Sequence, residues 1–177
     1  MLDKALRFRE TFFWKALIKL EKAVMTICGI GVTALLCIEV LLRYFCSLPL
    51  YSYEEVATIF CVWLYFVGAA YAMYEKSQIQ ADMASLFLKE KGQQINKLLV
   101  SVVSALVSTV LAVWSWDFIQ WALVKNAITT GLKIPMVIPQ SSILVGYVLL
   151  AFYCWVYLFE DTVLFIRWMK ARKEERP

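Results

Sequence analysis

Apolar residues run in four long blocks, Ala23–Leu42, Val56–Tyr74, Leu98–Val124 and Ile138–Ile166, and most charged residues lie around them. Each block is close to or above the roughly 20 predominantly apolar residues with which an α-helix crosses a hydrocarbon core of ~30 Å. Lipid cannot satisfy exposed backbone polar groups, whereas a helix satisfies its own. The pattern therefore predicts an all-α integral membrane protein. Four transmembrane helices, near 23–46, 54–74, 97–125 and 138–167, make a single domain over 1–177. The remaining loops are too short for a soluble domain, and there is no internal repeat.

Two segments outside the spans also have a periodic apolar face. In 1–22, Leu6, Phe13, Leu17 and Leu20 alternate with Lys4, Arg7, Lys15, Lys19 and Lys22. In 78–92, Ile79, Met83, Leu86 and Phe87 oppose Asp82, Ser85 and Lys89. Both read as short amphipathic helices lying in the membrane interface. The first 22 residues do not read as a cleavable signal peptide, because the apolar run that follows is long enough to span.

Composition sharpens this reading. The 177 residues are 62% hydrophobic and 18% charged, with mean hydropathy +0.66. Soluble domains average about 45–50% apolar and about 25% charged. Of the 18 Lys and Arg residues, fifteen fall in the N-terminal segment, the connection between spans two and three, and the C-terminal tail. Only Arg43, Lys125 and Lys133 fall on the other side. Cytoplasmic loops carry the excess of Lys and Arg, so both termini are expected to be cytoplasmic.

Charge inside the spans is sparse and near their ends. Val56–Tyr74 has none; Glu39 and Asp117 lie toward the outer face, and Glu160 and Asp161 toward the inner face. A substrate path normally needs polar groups near mid-span or broken helices. Ser101, Ser104, Ser108 and Thr109 in span three form a hydroxyl stripe of the kind that joins helices. The chain has no histidine, which removes bis-His haem ligation, a His metal site and a His general base. There is no phosphate-binding GxxxxGK[ST] loop. Cys28, Cys37, Cys46, Cys61 and Cys154 form no CxxC pair, and those within spans read as small hydrophobes. Enzyme activity, a resident cofactor or metal, and nucleic-acid binding are not expected of this chain.

The densest charge lies in RYFCSLPLYSYEEVATIF, residues 43–60. Glu39 and Arg43 are four positions apart and share a helix face. Pro49 ends the first span, and the next helix begins at Ser52 or Tyr53. Glu54 and Glu55 then occupy its first turn, where exposed N–H groups favour carboxylates. Arg43 is expected to pair with Glu54 or Glu55, leaving the other acid to a partner subunit. Gly68 and Ala72 make a small-xxx-small face on span two for close helix approach. Asp82 is expected to cap or orient the helix after that span. Trp14, Trp114, Trp116, Trp121 and Trp168 read as belt residues at headgroup level. Together these features describe a membrane-anchored scaffold. A stand-alone four-helix channel or small transporter, and a membrane anchor for another complex, are the competing classes.

Residues 40–82 resemble the small membrane subunit of the TRAP (tripartite ATP-independent periplasmic) transporters. The resemblance rests on Arg43-Tyr44, Pro49, Glu54-Glu55, Trp63, Gly68-Ala69-Ala70 and Gln78-Ile79-Gln80-Ala81-Asp82. The stretch GLKIPMVIPQSSILVGYVLL, 131–150, is also similar to the family's entry to the fourth span. Gln78 stands where the family usually has His, and Ser52 where it usually has Trp. The resemblance implies a multi-pass protein of the bacterial inner membrane. Its implied partners are a large membrane subunit that carries the substrate and sodium sites, and a periplasmic binding protein that captures an organic acid, a carboxylate or sialic acid for example. This chain would brace the large subunit in the lipid and hold no substrate itself.

Overall fold

The computed structural model describes residues 12–45, 52–75 and 90–174. They contain four helices: α1 (Phe12–Phe45), α2 (Tyr53–Tyr74), α3 (Glu90–Lys125) and α4 (Val137–Glu174). All four are long and apolar enough to cross a membrane. The first eleven residues, Cys46, Gln78, Asp82 and most of 78–92 lie outside the described residues, and so does the role expected of Asp82.

Three helices extend beyond the predicted spans. α1 passes from Phe12 through position 22 without a break, so the described part of the N-terminal segment continues the first span rather than forming a separate helix. Between Phe12 and Ala23 there is no Gly or Pro, and Ala16, Leu17, Lys19, Leu20, Glu21 and Lys22 are good helix formers. α3 begins before 97, running through Gly92, and α4 continues past 167 over a stretch that likewise has no Gly or Pro.

The order across the molecule differs from the order along the chain. Among the described residues, α1 packs on α2, α2 on α4, and α4 on α3, with no packing of α1 against α3. The helices thus form an open row, α1–α2–α4–α3, in which side chains at the start of α1, Trp14 and Glu21, also reach across to Phe152 and Tyr153 of α4. At one end Gly131 and Leu132, just before α4, meet Glu55 at the start of α2. At the other, Tyr157 of α4 meets Tyr74 at the end of α2. The two central helices therefore run parallel.

Glycine sets the tightest contact of that central pair. A Cβ on Gly146 would lie 2.7 Å from Phe66 Cβ, 2.9 Å from Phe66 O and 3.0 Å from its carbonyl carbon. Ser142, one turn earlier, is fully buried, so Ser142 and Gly146 form the small-xxx-small face that draws α4 onto α2. The face expected at Gly68 and Ala72 is looser, and a Cβ on Gly68 would meet only Met25 Sδ, at 3.7 Å.

The outer pair is joined by hydroxyls. Ser101 donates to Asp161, and Trp155 Nε1 donates to Thr109 Oγ1 at 3.0 Å. Ser108 is buried, its hydroxyl returned to Ala105 O. The stripe read on span three thus lies along the α3–α4 seam.

Candidate interaction site

The charged corner is built on two turns. Ser52 precedes α2 in the left-handed region, at φ 62°, and makes no side-chain cap. α3 ends on Asn126, also left-handed at φ 45°, with Ala127 N bonded to Ala122 O and Asn126 N to Leu123 O. That pair of bonds is the Schellman arrangement, and Asn tolerates the conformation it needs. The chain then folds into a miniature hairpin. Ile128 pairs with Pro135, Thr129 N donates to Ile134 O at 2.9 Å, Met136 N to Ala127 O at 2.8 Å, and Ile134 N to Thr129 Oγ1 at 2.9 Å.

The tip of this hairpin is held by Glu55. Its carboxylate accepts Gly131 N at 2.6 Å and Leu132 N at 2.8 Å. Bonds of this kind, from backbone N–H to a carboxylate, are among the stronger hydrogen bonds. Gly131 must lack a side chain here, since a Cβ would lie 2.8 Å from Ser52 Cβ and 2.9 Å from Glu55 Oε1. In the first turn of α4, Ile138 O accepts the Trp63 indole N–H at 3.3 Å, a second tie from α2.

The ion pair expected at this corner takes a different form. Among the described residues Arg43 forms no ion pair with Glu54 or Glu55, and its side chain is exposed. Consecutive positions on a helix point about 100° apart, so two adjacent acids cannot both face α1. Glu55 turns to the hairpin, where two N–H groups are already in place, and Glu54 is exposed. Glu39 is buried at 6% exposure, although it was expected to share its face with Arg43. Exposed Arg43 and Glu54 are the corner's outward charges.

A second polar cluster lies at the end of the row that holds the start of α1. Glu21, 2% exposed, accepts the Tyr153 hydroxyl at 2.7 Å. Its second carboxyl oxygen has no hydrogen-bond partner among the described residues. Tyr157 donates to Tyr74 O at 2.5 Å, Tyr71 donates to the Glu75 carboxylate, and Lys22 Nζ lies 5.3 Å from the Tyr71 ring centre. Trp14 packs on Tyr74, Phe152 and Tyr153, with ring centres 5.4–6.1 Å apart. Trp14 is thus a core residue at 2% exposure, not the belt residue expected from its position. Trp114, Trp116 and Trp121 are exposed on α3, as belt residues are.

Sequence reasoning passed over Glu21 and Tyr153. The available signal was the repeat Tyr153-xxx-Tyr157 inside an apolar helix, since a buried tyrosine hydroxyl usually finds a partner. Tyr153→Phe should lower stability by about 1–3 kcal/mol, because it leaves a buried carboxyl without its donor. Adding Glu21→Met should recover most of the loss. Detergent-unfolding curves followed by circular dichroism would test this, and an unchanged midpoint for Tyr153→Phe would refute it.

Among the described residues no group of three or more His, Cys, Asp or Glu side chains can hold a metal ion. The arrangement ties helices together and presents Arg43 and Glu54 outward. The family model described as "Tripartite ATP-independent periplasmic transporters, DctQ component" matches residues 32–163. Comparison with curated proteins gives no match.

Proposed function

From the premise that this chain belongs to the DctQ family, the small membrane component of the tripartite ATP-independent periplasmic transporters, we propose how it serves such a transporter. It braces a large membrane subunit in the bilayer and holds no substrate. Uptake is of an organic acid, carboxylate or sialic-acid type, and runs on a sodium gradient. Sodium and substrate are bound by the large subunit, after capture by a periplasmic binding protein. Both termini face the cytoplasm of a bacterium, and the charged corner faces outward.

The observation that carries this reading is the open row. In a closed bundle each helix covers its neighbours, yet here no more than 28% of any span-forming window is buried within the chain. Lipid cannot drive apolar faces together, so such faces are free for lipid or for another helix. The sparse intramembrane charge favours a brace over a conduit.

Co-expression tests the proposal. The chain should purify as a one-to-one complex with a large subunit. Vesicles containing both, supplied with a periplasmic binding protein, should take up an organic acid on a sodium gradient without ATP. A reporter fused after Pro177 should read cytoplasm. Transport by this chain alone would replace the brace with a conduit, and a periplasmic reporter signal would invert the orientation.

A further inference from the structure

At the edge of the row, α3 turns one face away from its neighbour. Among the described helices it packs on α4 alone, and Ser108, Ser115, Ile119 and Ala122 are buried on that side. At about 100° per residue, Asp117 points roughly 140–180° away from all four. Its side chain is exposed and makes no hydrogen bond or ion pair among the described residues. Leu106, Val110, Val113 and Val124, exposed on the same side, are all apolar.

Depth makes this acid costly. Lys97 and Lys125 bracket the apolar block of α3 and are 28 positions apart. At 1.5 Å per residue that is about 42 Å, close to the ~40–45 Å of a bilayer with its headgroup layers. The hydrocarbon core takes ~30 Å, which leaves roughly 5–8 Å for each headgroup layer. Asp117 lies about 12 Å inside Lys125, below that layer, and its side chain is too short to climb back. Ionisable groups at such depth almost always face protein or water and pair with another group. Asp117 therefore marks the place of a partner outside this chain.

The surroundings fix the partner's chemistry. Trp114 and Trp121, three positions before Asp117 and four after it, share its face. Trp121 is backed by Phe118, with parallel rings whose centres are 6.4 Å apart. A carboxylate between two indoles fits a guanidinium, which gives a carboxylate two parallel hydrogen bonds and stacks on an indole. A second copy of this chain cannot supply one, because none of its Lys or Arg residues lies within the four apolar blocks. A two-fold contact centred here would also set Asp117 against Asp117. A lipid ammonium belongs to the headgroup layer above. We propose that this face docks a transmembrane helix of the large subunit, through an arginine that meets Asp117 between Trp114 and Trp121. The proposal rests on the reading of this chain as a brace and names where the brace attaches. Asp117 lies in the half of α3 that leads to the hairpin, on the same side of the membrane as Arg43 and Glu54.

Photo-cross-linking in the co-expressed complex tests this, with benzoylphenylalanine in place of Val113, one turn from Asp117 on the same face. The adduct should be the large subunit, joined through a transmembrane helix that carries an arginine. Asp117→Asn should weaken association about tenfold or more, and Asp117→Lys should abolish co-purification. An acid in place of that arginine should restore the complex with Asp117→Lys. Both variants, isolated, should match the parent in circular dichroism and elution volume, because the Asp117 side chain makes no bond within the described residues. A complex that forms undiminished with Asp117→Lys overturns this docking face and leaves the brace standing. An adduct to lipid or to a second copy does the same. Failure of the parent chain to form any complex overturns the brace itself, and this face with it.

Discussion

Gly146→Ala should separate α2 from α4 and cost the chain about 1–3 kcal/mol, the usual range for overpacking a filled interior. The value should lie toward the upper end. Two of the three nearest atoms to the added methyl, at 2.9 and 3.0 Å, are backbone atoms of Phe66, which cannot rotate away as a side chain can. Relief requires the two parallel helices to move apart, and Ser142, packed on the same face, would move with them. Gly68→Ala is the matched control. Its methyl would meet only the end of the Met25 side chain at 3.7 Å, so the gain in helix propensity, up to about 1 kcal/mol, should leave that variant neutral or slightly stabilised. Unfolding in mixed micelles compares the two directly. Equal stability would show that α2 and α4 are not held by close approach at Gly146.

Glu55→Gln and Glu54→Gln should differ sharply, although the residues are adjacent and chemically alike. Glutamine at 55 offers one carbonyl oxygen to two N–H donors and turns its own NH₂ toward the second. The hairpin tip then loses a charge-assisted bond. Amide exchange at Gly131 and Leu132 should rise by about tenfold or more, reporting local opening while the helices stay folded. Glu54→Gln should leave those amides unchanged, since its side chain is exposed and holds no part of the hairpin. Its effect, with that of Arg43→Ala, should appear in recovery of the large subunit and in uptake. Unchanged exchange in Glu55→Gln would remove the latch. Full assembly and uptake in both Glu54→Gln and Arg43→Ala would remove the docking role of the corner.

The two experiments separate contacts within the chain from contacts beyond it. Gly146 and Glu55 hold this subunit together, so their loss should be visible in the isolated protein. Arg43 and Glu54 are exposed, and their loss should be silent until a partner is present. A defect of the first kind lowers assembly only through stability. It should therefore be rescued by conditions that stabilise the chain, and a defect of the second kind should not.

Much of the architecture was legible because the bilayer imposes its constraint on each segment separately. A run of about 20 apolar residues spans as a helix whatever its neighbours do. Four such runs gave four helices, and α2 begins at Tyr53 and ends at Tyr74 as its pattern indicates. The match to a known family was legible for a similar reason, because its motif lies in one continuous stretch of chain. Fully helical ends at Phe12 and Glu174 were less visible, because amphipathic and spanning helices are built from the same good helix formers and no breaker divides them.

The lateral arrangement was not legible. Apolar faces look alike whether they meet lipid or protein, and no hydrophobic force sorts them inside a membrane. Small residues and hydrogen bonds do the sorting, and each needs its partner in place to be recognised. Gly68 and Gly146 each have a small residue four positions away, Ala72 and Ser142, yet of the two only Gly146 meets a neighbouring backbone. Glu54 and Glu55 were equivalent until the hairpin at 128–135 brought two N–H groups to one of them. Glu21 carried no signal in the sequence, because its partner Tyr153 lies 132 positions away. The sequence by itself determined how many helices cross and where, because backbone hydrogen bonding in lipid is settled within each segment. Tertiary structure alone decided that they stand in the open row α1–α2–α4–α3, because that order depends on contacts between residues far apart in the chain.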